Sequence, residues 1–355
     1  MALNDLFKPK PPSQEDKLKA AQAKKEQIKK SAERPAKLRT PLPVGTMVDR
    51  YKMGKLIGMG SFSLVYQALD TESKEYVVIK EYYPKYYSKR VDDKVTILPF
   101  EGRKLITYNE GFKQFFSEAL ALHKINHPNV LKAHNMFRAN RTAYMVSDNE
   151  TGRDLKWFLN TTDEALKKDL LYKIFLPILS SLNMLHKTGC LHLDIKPANI
   201  LLRTNSEPLL LDFGASQDMA SEKRINSIQT LTHGFAPPEQ YDRKSDLGPW
   251  TDIYAVAATL YHAITNRPPA KSKDSDKESQ LNVEIYSSLY STQMLNAINQ
   301  ALLHDYGKRF QIVDDFAKEL LGGSRWATLE DYEKREMGYN RNEENSTAPS
   351  FSSAA

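Results

Sequence analysis

Between Leu191 and Leu202 the chain reads LHLDIKPANILL, which places His192, Asp194, Lys196 and Asn199 within eight residues and between two apolar flanks. Asp194 is a carboxylate able to accept a hydroxyl proton. Lys196, two residues on, can neutralise charge on a group in transit, and Asn199 offers a neutral oxygen to a hard cation such as Mg2+. A second acid, Asp212, follows the apolar run Leu209–Leu211 in LLLDFGAS. This combination suits phosphoryl transfer, which asks for positioning and charge neutralisation more than for covalent chemistry. The flank Ile200–Leu202 has the character of a short buried strand, so the polar cluster sits on a loop anchored to a core.

The elements that must position this loop come from both sides of it. Tyr51–Ile57 and Leu64–Leu69 read as two strands around the turn GMGSFS. Gly58 and Gly60 carry no side chains, so the backbone there can approach a phosphate, although an ordinary hairpin explains the pattern as well. A third strand, Tyr76–Lys80, ends in a lysine that is either solvated at an edge or aimed into a cleft. The stretch 81–111 is rich in tyrosine and reads as aromatic packing, with Val95–Leu98 as a further strand. Phe112–Ile125 then carries apolar residues at helical spacing with Glu118 among them, a solvated edge residue unless Lys80 faces it. Ala133–Arg138 and Thr142–Ser147 read as strands. After residue 152 the pattern turns helical, with an apolar stripe over Asp163–Lys187 and an almost wholly apolar helix over Asp252–Ile264. Asp252 stands at the start of that helix as a cap or an internal anchor.

Composition bounds the rest. The 355 residues are 41% hydrophobic, enough for a sizeable core in two lobes. The single cysteine excludes an intrachain disulfide and points to a reducing, cytoplasmic setting. No uncharged apolar run reaches the ~18 residues of a membrane span. The net charge of +6 resides in residues 1–43, which hold 11 basic and 5 acidic residues against 39 of each in the remainder. A nucleic-acid-binding body is therefore not expected. Residues 1–43 read as a solvated or loosely helical tail, or alternatively as an electrostatic tether to an acidic partner or anionic membrane surface. Residues 324–355 read as a polar, disordered tail.

In their order, these pieces resemble the eukaryotic-like (Hanks-type) serine/threonine protein kinases, bacterial ones in particular, over residues 49–321. Gly58–Val65 is similar to the glycine-rich loop over ATP, and VIK ending at Lys80 to the strand lysine that contacts its α- and β-phosphates. Glu118, ten residues before Pro128 of HPNV, stands where the family has the helix glutamate that pairs with that lysine. Asp194 stands for the catalytic base, Lys196 for the lysine of serine/threonine kinases, and Asn199 and Asp212 for the metal ligands. PPE at Pro237–Glu239 stands for A-P-E, Arg309 for the partner of its glutamate, and Asp252 for the aspartate that organises the catalytic loop.

The resemblance implies an α+β, bilobal kinase-like fold: a β-rich small lobe over 49–147, a hinge over 148–152 and a larger helical lobe over 153–321. It implies ATP and Mg2+ as cofactors and proteins with serine or threonine acceptors as substrates, with autophosphorylation expected too. Nucleotide would be held by Ile57, Gly58, Gly60, Ser61 and Val65, by Lys80, by Ser147 and Asn149 near the hinge, and by Asn199. Asp194, Lys196, Lys80 and Glu118 would form the catalytic set.

Three departures stand out. Leu193 replaces the arginine of H-R-D, and leucine cannot pair with a phosphate, so activation-loop phosphorylation at Ser227 or Thr230 is not expected to be required. Thr232 aligns instead with the substrate-site threonine. Ser63 replaces the last loop glycine. Ser147, or Val146 if the alignment slips by one, takes the gatekeeper position, and a small residue there implies a deeper pocket open to bulky ATP-competitive inhibitors. Two other readings compete. A pseudokinase scaffold has Leu193, Ser63 and the two tails in its favour, whereas a small-molecule phosphotransferase would lack the A-P-E segment with its arginine.

Overall fold

The computed structural model describes residues 39–161, 166, 168–219, 231–242, 244–272, 279–322 and 327–338. The chain divides into two units, Met1–Thr40 and Pro41–Ala355, and every strand and helix among the described residues lies in the second. The expected tail functions of residues 1–43 fall almost wholly outside the described residues, as do Ser227 and Thr230.

A six-stranded antiparallel sheet comes first. Its strands are β1 (Met47–Val48), β2 (Tyr51–Met59), β3 (Ser63–Asp70), β4 (Tyr76–Tyr82), β7 (Ala133–Ala139) and β8 (Thr142–Asp148), in the order β1-β2-β3-β4-β8-β7. The first strand thus starts four residues before Tyr51, where ordered structure was expected to begin. A two-stranded hairpin, β5 (Ser88–Arg90) with β6 (Ile97–Pro99), interrupts the tyrosine-rich connection. Alternation along β4 sends Lys80 to one face and Glu81 to the other. Glu81 is fully buried, with Arg90 Nη2 at 2.6 Å and the hydroxyls of Tyr66 and Tyr144 each donating at 2.9 Å. A charge buried in this way must be paired and hydrogen-bonded. The connection that read as aromatic packing therefore also supplies an ionic anchor for β4.

Helix α1 (Arg103–Lys124) packs against the sheet at β7 and β8. It starts nine residues before Phe112, where the apolar period had placed it. Gly111, read as the end of the tyrosine-rich connection, lies within the helix, where a Cβ would run into the Tyr82 hydroxyl. The first turns also present Leu105 and Ile106 to solvent, which hides the stripe.

The helical part comes next: α2 (Leu155–Asn160), α3 (Lys168–Lys187), α4 (Pro249–Thr265), α5 (Thr292–Ala301) and α6 (Val313–Leu320). Helix α4 is buried on most sides, with Pro249 at its first position, where the missing N–H costs nothing. Its Ile253, Val256 and Leu260 are at 0% exposure, each worth roughly 1.5–3 kcal/mol of burial. No helix among the described residues is long and apolar enough to cross a membrane.

The stretch expected to be disordered from 324 onward is structured over 327–338. There α7 (Leu329–Tyr332) runs into a wide π-turn, Glu333–Met337. Leu329 and Tyr332 are buried, and Glu333 is 1% exposed. The polar composition concealed this, because the residue that enters the core is itself charged. Ser180 on α3 donates to the Glu333 carboxylate and meets His127 Nε2 at 2.9 Å, while His127 Nδ1 accepts from the Asn129 N–H at 3.1 Å. Burial holds the His127 ring down at about 3, so it is neutral here. Ser180→Ala removes the hydroxyl that bridges two buried groups. A loss of about 1–3 kcal/mol is expected, visible as a lower urea midpoint at an unchanged slope.

Candidate active site

The loop that carries Asp194 leaves β10 (Cys190–Leu191), passes a 3-10 turn at Pro197–Asn199 and enters β11 (Ile200–Arg203), which pairs with β12 (Pro208–Leu210) and β9 (Gly152–Asp154). Its shape is set by Asp252, fully buried at the first turn of α4. One carboxylate oxygen accepts the His192 N–H at 2.9 Å and the other accepts the Leu193 N–H at 2.8 Å, with His186 Nε2 at 2.8 Å from the first. Burial pushes the Asp252 carboxyl up, but these partners prevail and keep it below its ordinary value. They also hold Leu193 at φ 65°, left-handed backbone that leucine adopts only under constraint.

Asp194 then meets donors on every side. Lys196 Nζ lies 2.6 and 2.9 Å from its oxygens, Thr232 Oγ1 donates at 3.0 Å, and Asn199 Nδ2 donates at 3.0 Å to the carboxylate and 2.8 Å to the backbone carbonyl. Lys196 also reaches Thr232 Oγ1 at 3.0 Å, so base, lysine and threonine form a closed triangle.

Lys80 is the second centre. Its ammonium lies 2.6 Å from Glu118 on α1 and 2.8 Å from Asp212. Glu118 is thus not a solvated edge residue: it is 2% exposed, on the helix face turned to β4. Burial disfavours the Lys80 cation, yet Asp212 and Glu118 raise its pKa above the ordinary lysine value. Glu118 is pushed up by burial against the pull of Lys80. Asp212 is more open and is pulled down to about 2, by Lys80 foremost.

Strand register decides what shares a face with Lys80. Val65 and Met145 lie directly opposite it, Gly58 lies opposite Val65, and Val78 lies opposite Ser147. Ser147 is therefore on the Lys80 face, whereas Val146 pairs with Ile79 on the other. Ile57 sits half exposed at the bulge of β2, and Asn149 follows β8 in the connection to β9. A cavity of about 250 Å³ opens between the Gly60–Ser61 turn, Lys80, Glu118, Asp194, Lys196 and Asp212. It brings together the catalytic set, Gly60 and Ser61 of the expected nucleotide-binding residues, and one expected metal ligand. Ile57, Gly58, Val65, Ser147, Asn149 and Asn199 lie outside its lining.

A donor set of one carboxylate, Asp212, and one amide oxygen, Asn199, fits Mg2+, which keeps waters and phosphate oxygens as its other ligands. The Asn199 amide nitrogen is committed to Asp194, which leaves the oxygen as the atom for a cation. Among the described residues no group of three His, Cys, Asp or Glu is placed for a metal.

The segment beyond is fixed by Glu239, whose oxygens meet Arg309 Nη1 at 2.7 Å and Nη2 at 3.1 Å with both side chains buried. Thr251 Oγ1 donates to the same carboxylate at 3.1 Å, and Gln240 Nε2 donates to the Leu193 carbonyl at 2.9 Å. Sequence reasoning passed over Gln114, which also lines the cavity and donates to the Gly214 carbonyl at 2.6 Å. The available signal was its place one helical turn before Glu118.

The family model described as protein kinase domain matches residues 51–322. Serine/threonine-protein kinase D of Synechocystis is 27% identical over 273 residues, 74% of this chain and 50% of that protein. Probable serine/threonine-protein kinase PknB of Lactococcus lactis is 28% identical over 223 residues, 62% of this chain and 32% of that protein. The chain thus spans half or less of the length of these curated relatives. The solved structure titled PpkA-294 apo form is similar at a TM-score of 0.68 and 32% identity, covering 79% of this chain and 99% of that one.

Proposed function

The chain belongs to the protein kinase family, and from that premise we propose that it transfers the γ-phosphoryl group of Mg2+-ATP to serine and threonine hydroxyls of proteins, itself included. The observation that carries this reading is convergence. Lys80, Glu118 and Asp212 meet at one ammonium, and Asp194 with Lys196 faces the same cavity.

In this reading residues 49–321 are the catalytic domain. The Gly58–Ser63 turn and Lys80 hold the phosphates, and Glu118 keeps Lys80 aimed at them. Asp212 and the Asn199 oxygen hold Mg2+, which offsets negative charge on the β- and γ-phosphate oxygens when bound. Asp194 orients the acceptor hydroxyl and takes its proton late in transfer, and Lys196 neutralises charge on the transferring group. Thr232, on the Asp194–Lys196 pair, is placed to position that hydroxyl. A scaffold without turnover would need a defect in this set, and each member is in contact with its partner. The relatives named as serine/threonine kinases support the acceptor type.

The test is transfer of radiolabel from ATP to a generic basic protein. Incorporation by the wild type that vanishes in Asp212→Ala is expected, whereas label that persists in the variant, or never appears with the wild type, overturns the reading.

A further inference from the structure

The backbone on either side of Asp212 is held at three residues, Leu211, Phe213 and Gly214. His192 Nε2 donates to the Leu211 carbonyl at 3.2 Å, the Phe213 N–H faces the Glu118 carboxylate, and Gln114 Nε2 donates to the Gly214 carbonyl at 2.6 Å. Between them Asp212 has φ 57°, left-handed backbone that a non-glycine residue keeps only where its surroundings over-determine it. Two of the three holds come from one face of α1, because residues 114 and 118 are a helical turn apart. One ends on the Glu118 carboxylate, which Lys80 pairs; the other is a neutral amide-to-carbonyl bond. Gln114 is 7% exposed and spans from α1 to the turn at Gly214.

We infer that Gln114 is a positioning residue: its amide pins the Gly214 carbonyl to α1, and so keeps the Asp212 carboxylate where it meets Lys80 and the bound cation. The role of Asp212 rests on the kinase reading above, but the hold itself is a property of the backbone. The Glu118 and Gln114 contacts both tie the Asp212 segment to α1, so the helix and the segment move as one body. The neutral bond also survives changes in charge at the site that weaken the ionic hold.

Two substitutions test this. Gln114→Met keeps the unbranched shape and removes the donor, and Gln114→His returns an N–H at similar reach. In nucleotide-free Gln114→Met, deuterium exchange of amides 213–215 is expected to quicken about tenfold, with α4 and β8 unchanged. Turnover falls about 10- to 100-fold, as displaced catalytic groups do, while the melting temperature stays within about 2 °C. Gln114→His recovers most of both. Exchange that stays within about twofold of wild type, that quickens evenly across the fold, or that Gln114→His leaves elevated overturns the inference. If the wild type itself transfers no phosphate, the kinase reading falls, and the exchange comparison still decides the role of Gln114.

Discussion

Asp194→Asn is expected to lower turnover by about 10²- to 10⁴-fold, the range for loss of a positioned general base, with little change in ATP affinity. The carboxylate accepts from Lys196, Asn199 and Thr232 together. An asparagine matches its shape but turns one end into a donor that faces other donors. The acceptor hydroxyl then loses both its orientation and the destination of its proton. Lys80 and the Gly60–Ser61 turn, which would hold the phosphates, lie across the cavity and keep their contacts. Steady-state rates beside equilibrium binding of a non-hydrolysable ATP analogue separate the two effects. A variant that loses turnover and analogue binding in proportion would remove Asp194 from the role of base.

Lys80→Met is expected to cost about 10²- to 10³-fold in turnover, comparable to the loss of a preorganised donor at a developing charge. Glu118 and Asp212 then face the cavity with no ammonium between them. Burial supplies a second, independent signature. Without Lys80, Glu118 keeps its desolvation and loses its largest stabilising partner, so its folded-state pKa rises further above the unfolded value. A carboxyl raised in this way supports the fold at low pH and loses that support as pH climbs through the folded value. The melting-temperature deficit of the variant should therefore grow from pH 5 toward pH 8. A deficit that is constant with pH, alongside wild-type turnover, would mean that Lys80 is peripheral.

Much of the site was legible because its parts are close in sequence. Asp194, Lys196 and Asn199 share one loop between apolar flanks, so their convergence needed only that loop. The strand alternation that presents Lys80, and the helical period around Glu118, are local patterns as well. Other features left weaker traces. The start of α1 was misplaced because its first turns turn Leu105 and Ile106 to solvent, which leaves no apolar stripe there to read. Glu333 reads as part of a polar tail until Ser180 and His127 are seen to receive it.

Residue types and spacing pointed to the chemistry on offer, and the family they resemble implied the class of fold that offers it. Folding settled which groups meet: Lys80 with Asp212 across 132 positions, Glu239 with Arg309 across 70, and Gln114 with Gly214 across 100. It also put Ser147, and not Val146, on the face that carries Lys80, since a one-residue shift in strand register turns every side chain to the opposite face. Local patterns arise from neighbours a few residues apart. Ion pairs, register and desolvation arise between segments whose separation along the chain leaves no periodic mark on it.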